Sequence, residues 1–213
     1  MSEDIEIINQ NTRIEQLKIF FANNYKKLIG LLVLILLILF SYFGFQEYKK
    51  RQKIKIAGIY NQITLKEITI ENTNDVEKLI EIIKKKDPIY SALSLYFIIE
   101  NDLVNDEKQI NNLFDFVIKS QKEKEIKNLI IYKKAMYNAD IISENDLLDI
   151  LNPILKSESV WKSHALLLMA DYFENSNNLI KSKNFLEEIV NSELVNNEIR
   201  LEAERRLKRK FGD

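Results

Sequence analysis

Two hydrophobic patterns divide the chain. From 28 to 45, fifteen of eighteen residues are apolar and none is charged. After that run, apolar residues return every three or four positions, with polar residues between them. The continuous run predicts one helix across a membrane, since at ~1.5 Å per residue it covers roughly 27 Å, about the thickness of a bilayer's hydrocarbon. Its flanks carry interface anchors: Tyr25, Lys26 and Lys27 before it, and Tyr48, Lys49, Lys50 and Arg51 after it. Gln46-Glu47-Tyr48 does not resemble a small-residue cleavage site, so the run reads as a retained span. Residues 1–27 read as a short tail, polar and frayed over 1–11. Ile14, Leu17, Phe20 and Phe21 then fall at helical spacing on an amphipathic helix. Ile56, Ile59, Tyr60 and Ile63 predict a juxtamembrane helix within 46–70, ending at a break over 71–74.

Residues 74–213 give one helical stripe after another. The first two hold Val76, Leu79, Ile80 and Ile83, then Leu93, Tyr96 and Phe97. Asp87-Pro88 starts the second with Asp as N-cap and Pro at the first helical position. Further stripes are Ile110, Leu113, Phe114 and Val117; Leu129, Tyr132, Ala135 and Met136; and Leu147, Leu148, Leu151 and Ile154. Ser143 and Asp146 mark the start of that last helix as a capping box. Leu166, Met169, Ala170 and Phe173 follow, then Leu179, Leu186, Ile189 and Val190, and finally Leu201, Leu207 and Phe211. No stretch alternates with period two, so the class is all-α. Short polar turns at 101–106 and 175–178 pair the helices antiparallel. Ala135 and Ala170 stand 35 apart, and Phe97 and Ala135 stand 38 apart. A period near 34 residues with small residues at helix crossings marks a tetratricopeptide-like α-solenoid. A generic helical bundle gives the same stripes without the period.

Composition narrows the chemistry. Four Gly and two Pro in 213 residues argue against sandwiches and barrels, and leave no Gly-rich phosphate loop. The absence of Cys excludes disulfides and thiolate sites, and the single His164 excludes multi-histidine metal sites. Residues 46–213 hold 27 basic and 28 acidic side chains, which is no nucleic-acid footprint. His164 lies near Trp161 and Lys162, and spacing identifies no acid or base to pair with it. The expectation is a protein that is not an enzyme and takes no cofactor. Lys84-Lys85-Lys86 reads as cations at a helix C-terminus, and the charged run 119–127 as a solvated connection. Lys and Arg near the span number four on the N-terminal side and five on the C-terminal side, which leaves orientation open.

The front of the chain carries a resemblance. Glu15-Gln16-Leu17-Lys18-Ile19-Phe20-Phe21-Ala22-Asn23-Asn24 leads into Lys26-Lys27-Leu28-Ile29-Gly30. Gly44-Phe45, Tyr48, Ala57 and Tyr60 follow the span, and Tyr90-x-Ala92-Leu93 opens the repeat region. This resembles the membrane-anchored tetratricopeptide-like ancillary subunit of the bacterial Sec translocon, over nearly the whole length. The chain departs from it in having only eight Ala, so several usually small crossing positions are bulky.

The resemblance implies a bacterial inner-membrane protein with a cytoplasmic N-terminus and a periplasmic repeat domain at 74–213. It also implies that the first helix of each pair lines a protein-binding groove, which would carry Ser94, Ile98, Tyr132, Met136, His164 and Asp171. The expected function is a membrane-tethered adaptor or chaperone-like subunit, ancillary to the Sec translocon and binding client or partner proteins. The alternative is a scaffold subunit of another envelope assembly, such as cytochrome c maturation or cell-division coordination. The expected partners are the membrane and other membrane or exported proteins, without nucleic acid.

Overall fold

The structure, a computed structural model, describes residues 2–66, 73–193 and 195–212, with side chains from Ile14 onward. The described residues form helices joined by short connections, without a strand. The helices are α1 (Ser2–Thr64), α2 (Thr73–Lys84), α3 (Tyr90–Glu100), α4 (Glu107–Ser120), α5 (Lys124–Asn138), α6 (Glu144–Leu155), α7 (Lys162–Asn175), α8 (Leu179–Asn191) and α9 (Asn197–Phe211). Compact packing divides the chain into one unit of residues 1–55 and a second of residues 56–213.

The first unit is helical from Ser2, where the sequence predicts a frayed tail and a later start. No Gly or Pro precedes Gly30, so nothing local interrupts the helix. The apolar run is exposed on every face, from 44% at Leu36 to 72% at Phe40, apart from half-buried Leu28 at its start. Leaving fifteen such side chains in water would cost roughly 1.5–3 kcal/mol for each large one. This is the one described helix long and apolar enough to cross a membrane. The anchor residues are exposed, with Lys49 Nζ 4.5 Å from the Phe45 ring centre and Arg51 Nε 3.0 Å from Glu47 Oε1.

The second unit begins with the last turns of α1, where Ile56 and Ile63 are buried. Residues 67–70 of the expected juxtamembrane helix, and the first half of the expected break, lie outside the described residues; Thr73 is already helical. The apolar interior forms three successive cores. Ile63, Leu79, Ile83, Leu95, Ile98 and Phe114 are among the first, which Ile130 of α5 also joins. The second takes Ile131 and Ala135 from α5, three residues of α6, and Ala165 and Met169 from α7. The third takes Leu166 and Ala170 from α7, Leu186 and Ile189 from α8, and Ile199 and Ala203 from α9. Adjacent residues on a helix point about 100° apart, so α5 and α7 each feed two cores at once.

This two-sided burial sets the register. Ser94 and Ile98 of α3, Ile131 and Ala135 of α5, Leu166 and Ala170 of α7, and Ile199 and Ala203 of α9 are all buried. The pairs step along the chain by 37, 35 and 33 residues. The small residues that close packing requires are partly serines: Ser91, Ser94, Ser163 and Ser182 are at most 1% exposed. Serine thus serves where the scarcity of alanine predicts bulk. On α9 the buried stripe is Ile199 and Ala203, while the predicted Leu201 is 56% exposed.

Turn chemistry follows the capping rules. The Asp87 carboxylate accepts from the N–H groups of Ile89 and Tyr90, both at 2.9 Å, and its carbonyl accepts from Ser91 N–H. Asp106, Ser143, Asn178 and Asn196 cap α4, α6, α8 and α9. Asp102 and Asn177 take left-handed φ values of 50° and 57° after α3 and α7. In both places the next N–H reaches back five residues, Leu103 to the Ile98 carbonyl and Asn178 to the Phe173 carbonyl.

The buried serines separate two energetic cases. Ser91 Oγ donates to the Ile83 carbonyl at 3.1 Å, whereas Ser163 Oγ has no partner among the described residues. Ser163→Ala is expected to stabilise the protein, and Ser91→Ala to destabilise it, each by about 1 kcal/mol. In thermal melts of the detergent-solubilised chain this corresponds to roughly 2–4 °C in opposite directions.

Candidate functional site

The functional candidates lie on α5 and α7. Tyr132 of α5 stacks on Trp161, with ring centroids 5.9 Å apart and planes at 21°. His164 of α7 meets Trp161 at 5.0 Å and the Tyr132 ring edge-on at 5.8 Å. All three rings are half-buried, and Val160 beside them is 68% exposed. Aromatic pairs in these offset and edge-on arrangements are each worth about 0.5–1.5 kcal/mol beyond their area.

The N-terminus of α7 is fixed from α5. Glu125 Oε2 accepts from Ser159 Oγ at 2.7 Å and from Val160 N–H at 3.2 Å, while Asn128 Nδ2 donates to Ser159 Oγ at 3.0 Å. Ser159 Oγ in turn accepts from Trp161 N–H. A carboxylate of one helix thereby caps the next, where no side chain of α7 does so. The effect is to hold Trp161 against Tyr132.

Further along α7, Asp171 pairs with Arg206 of α9, which also binds Glu202 Oε1 at 2.7 Å. Burial, with the Asp171 charge as the smaller cause, raises the Tyr132 hydroxyl above its usual range. On α3, burial pushes Tyr96 up to about 12; its hydroxyl has no described partner, and Lys133 Nζ of α5 lies 5.6 Å from its ring centre.

Of the predicted groove residues, Tyr132 and His164 are in contact, and Asp171 is close enough to Tyr132 to act on its ionisation. Met136 is 46% exposed one turn beyond Tyr132. Ser94 and Ile98 are fully buried in the packing of α3, so neither offers a surface to a partner. Sequence reasoning left Trp161 and Arg206 out of the groove. The 35-residue step could have found Arg206, since it sets opposite charges at 171 and 206.

His164 forms no hydrogen bond to a carboxylate among the described residues, and its Nδ1 is buried without a partner. No cluster of three or more possible metal ligands occurs among the described residues. The arrangement offers apolar aromatic surface with an ion pair at one end, which suits adhesion to another protein segment. No family model, curated protein or solved structure matches the chain.

Burial lowers the pKa of His164 below its ordinary 6.5, with the Val160 carbonyl acting the other way. The unfolded chain then takes up a proton that the folded domain resists. Stability is full above about pH 6.5 and falls as pH drops through it toward the lower folded value. As the chain has one histidine, no other side chain ordinarily titrates between pH 7 and 5.5. Urea melts in detergent are expected to show a loss of stability across that interval, and His164→Gln is expected to remove it.

Proposed function

We propose that this chain is a single-pass membrane protein whose helical domain works as a protein-binding adaptor, ancillary to the Sec translocon of a bacterial inner membrane. The observation that carries the adaptor reading is the step of 37, 35 and 33 residues between equivalent buried pairs on α3, α5, α7 and α9. That spacing supports a degenerate tetratricopeptide-like stack, in which every second helix presents one face to a partner. Half-buried Tyr132, Trp161 and His164 with exposed Met136 bring aromatic and thioether groups together on that face.

The exposed apolar helix supports the tether. Confinement to a membrane raises the local concentration of the domain near membrane-bound partners without any new contact. The assignment to the Sec translocon, with the N-terminus in the cytoplasm and the repeat domain in the periplasm, rests on the resemblance at the front of the chain.

Photocrosslinking tests this reading. A photoreactive amino acid at Tyr132 or Met136, in cells, is expected to capture translocon subunits or exported proteins. Adducts confined to lipid and to the chain itself would sink the adaptor. Purification in mild detergent decides the assembly: recovery of cytochrome-maturation or division proteins instead of translocon subunits reassigns the partner. A reporter fused after Asp213 is expected to be active only outside the cytoplasm, and activity inside would reverse the topology.

A further inference from the structure

Charge in the helical domain is segregated between its two ends. The connections α2–α3, α4–α5 and α6–α7 lie at one end and are tied together there: Gln121 Nε2 donates to the Pro88 carbonyl at 2.8 Å, and Glu125 binds Ser159 and Val160. The connections α3–α4, α5–α6 and α7–α8 lie at the other. There Asn111 and Asn138 exchange hydrogen bonds at 2.9 Å, Tyr172 donates to the Ile142 carbonyl, and Lys181 pairs with Glu144 at 2.7 Å.

At the first end, residues 84–89, 119–127 and 156–162 hold nine lysines and four acidic residues, a net charge of +5. At the second, residues 100–107, 138–146 and 174–181 hold eight acidic residues and one lysine, a net charge of −7. Each connection joins a helix C-terminus to a helix N-terminus, so helix dipoles largely cancel there and do not call for this separation. Ion pairing does not account for it either. Among the described residues, Lys84, Lys85, Lys122, Lys124, Lys127 and Lys156 form no ion pair and are exposed.

The basic end also carries apolar tips. Ile89 is 49% exposed, Ile126 40% and Val160 68%, one at each of the three tied connections. Lysines surrounding isolated apolar side chains on a surface made of turns fit a planar anionic surface better than a groove-bound segment. The apolar tips enter the headgroup boundary and the ammonium groups meet lipid phosphates, an attraction that fades beyond roughly 8–10 Å at physiological salt. The α8–α9 connection adds Glu193 and no lysine, which bounds the surface on that side.

We infer that this basic end, with Ile89, Ile126 and Val160 at its tips, docks on anionic lipid headgroups of the membrane in which the chain is anchored. The inference rests on the apolar run of α1 spanning that membrane, and only ten residues separate Phe45 from Ile56. Such a connection spans at most about 40 Å however it is arranged, so the domain stays near the lipid surface.

Because the chain has no cysteine, single labels can be placed at will. The full chain is reconstituted into vesicles of phosphatidylcholine alone or of equal parts phosphatidylcholine and phosphatidylglycerol, with nitroxide-labelled lipid as quencher. Fluorophores are placed at Val160→Cys, at Asn145→Cys on the acidic end, and at Leu36→Cys in the apolar run. The expected result is Leu36 quenched in both membranes and Val160 quenched at least about twofold more than Asn145 only with phosphatidylglycerol, an excess lost at about 0.5 M salt. Lys122→Glu with Lys124→Glu, both exposed, is expected to abolish the excess at Val160. An unquenched Leu36 overturns the membrane span and the docking together. A quenched Leu36 with equal signals at Val160 and Asn145 overturns the docking alone, as does quenching at Val160 that ignores phosphatidylglycerol or survives the charge reversal.

Discussion

The helical domain depends on one constraint: its inner helices have to bury apolar surface in two directions. A helix at the edge of a bundle can spend one stripe on the core and leave the rest to water. α5 cannot, because Ile130 faces the first core while Ile131 and Ala135 face the second. α7 is in the same position between the second and third cores. Two neighbours can approach such a helix only where its side chains are short, and this places Ala135, Ala170, Ala165 and Ser163 where they are. A methylene too many at these positions forces off-rotamer packing at about 1–3 kcal/mol.

Polar groups adapt to the same constraint. The first N–H groups of a helix have no partner within it, and here side chains from neighbouring helices and turns take some of them. Glu125 accepts from Ser159 and Val160, Ser159 Oγ accepts from Asn128 and Trp161, and Gln121 donates to the Pro88 carbonyl. These contacts join each helix pair to the next across 31 to 35 residues of sequence. With glycine nearly absent, the left-handed helix exits fall to Lys86, Asp102 and Asn177, and the short polar side chains of the last two tolerate that region better than most.

This division of labour explains what the sequence disclosed. The helical class, the long apolar run, and the caps at Asp87 and Ser143 rest on local chemistry, so spacing and residue type are enough to find them. The face of α5 was not readable in that way. Burial on two sides spreads its apolar residues around the helix, and buried Asn128 and Asn138 look like surface residues until Ser159 and Asn111 are seen to pair with them. Ile98 enters the expected groove through the resemblance alone, and the sequence matches Phe97 with Ala135; in the structure Ile98 is the equivalent buried position, enclosed by neighbouring helices. The aromatic cluster was half legible. Tyr132 and His164 stand out as residue types and Trp161 lies three residues before His164, but its stacking on Tyr132 depends on the turn before α7, which Glu125 holds.

Since consecutive cores share a helix and little else, cohesion is graded along the chain. α9 is the last element of the series, gives two fully or nearly buried residues to the third core alone, and meets α7 through Arg206 and Lys210 at Asp171 and Glu174. Partly exposed ion pairs of this kind contribute little at physiological salt. Opening at that end removes one wall of the third core and leaves the second core whole, because Ala165 and Met169 face away from α9. The C-terminal end of the domain is thus held by one core, where α5 and α7 are each held by two.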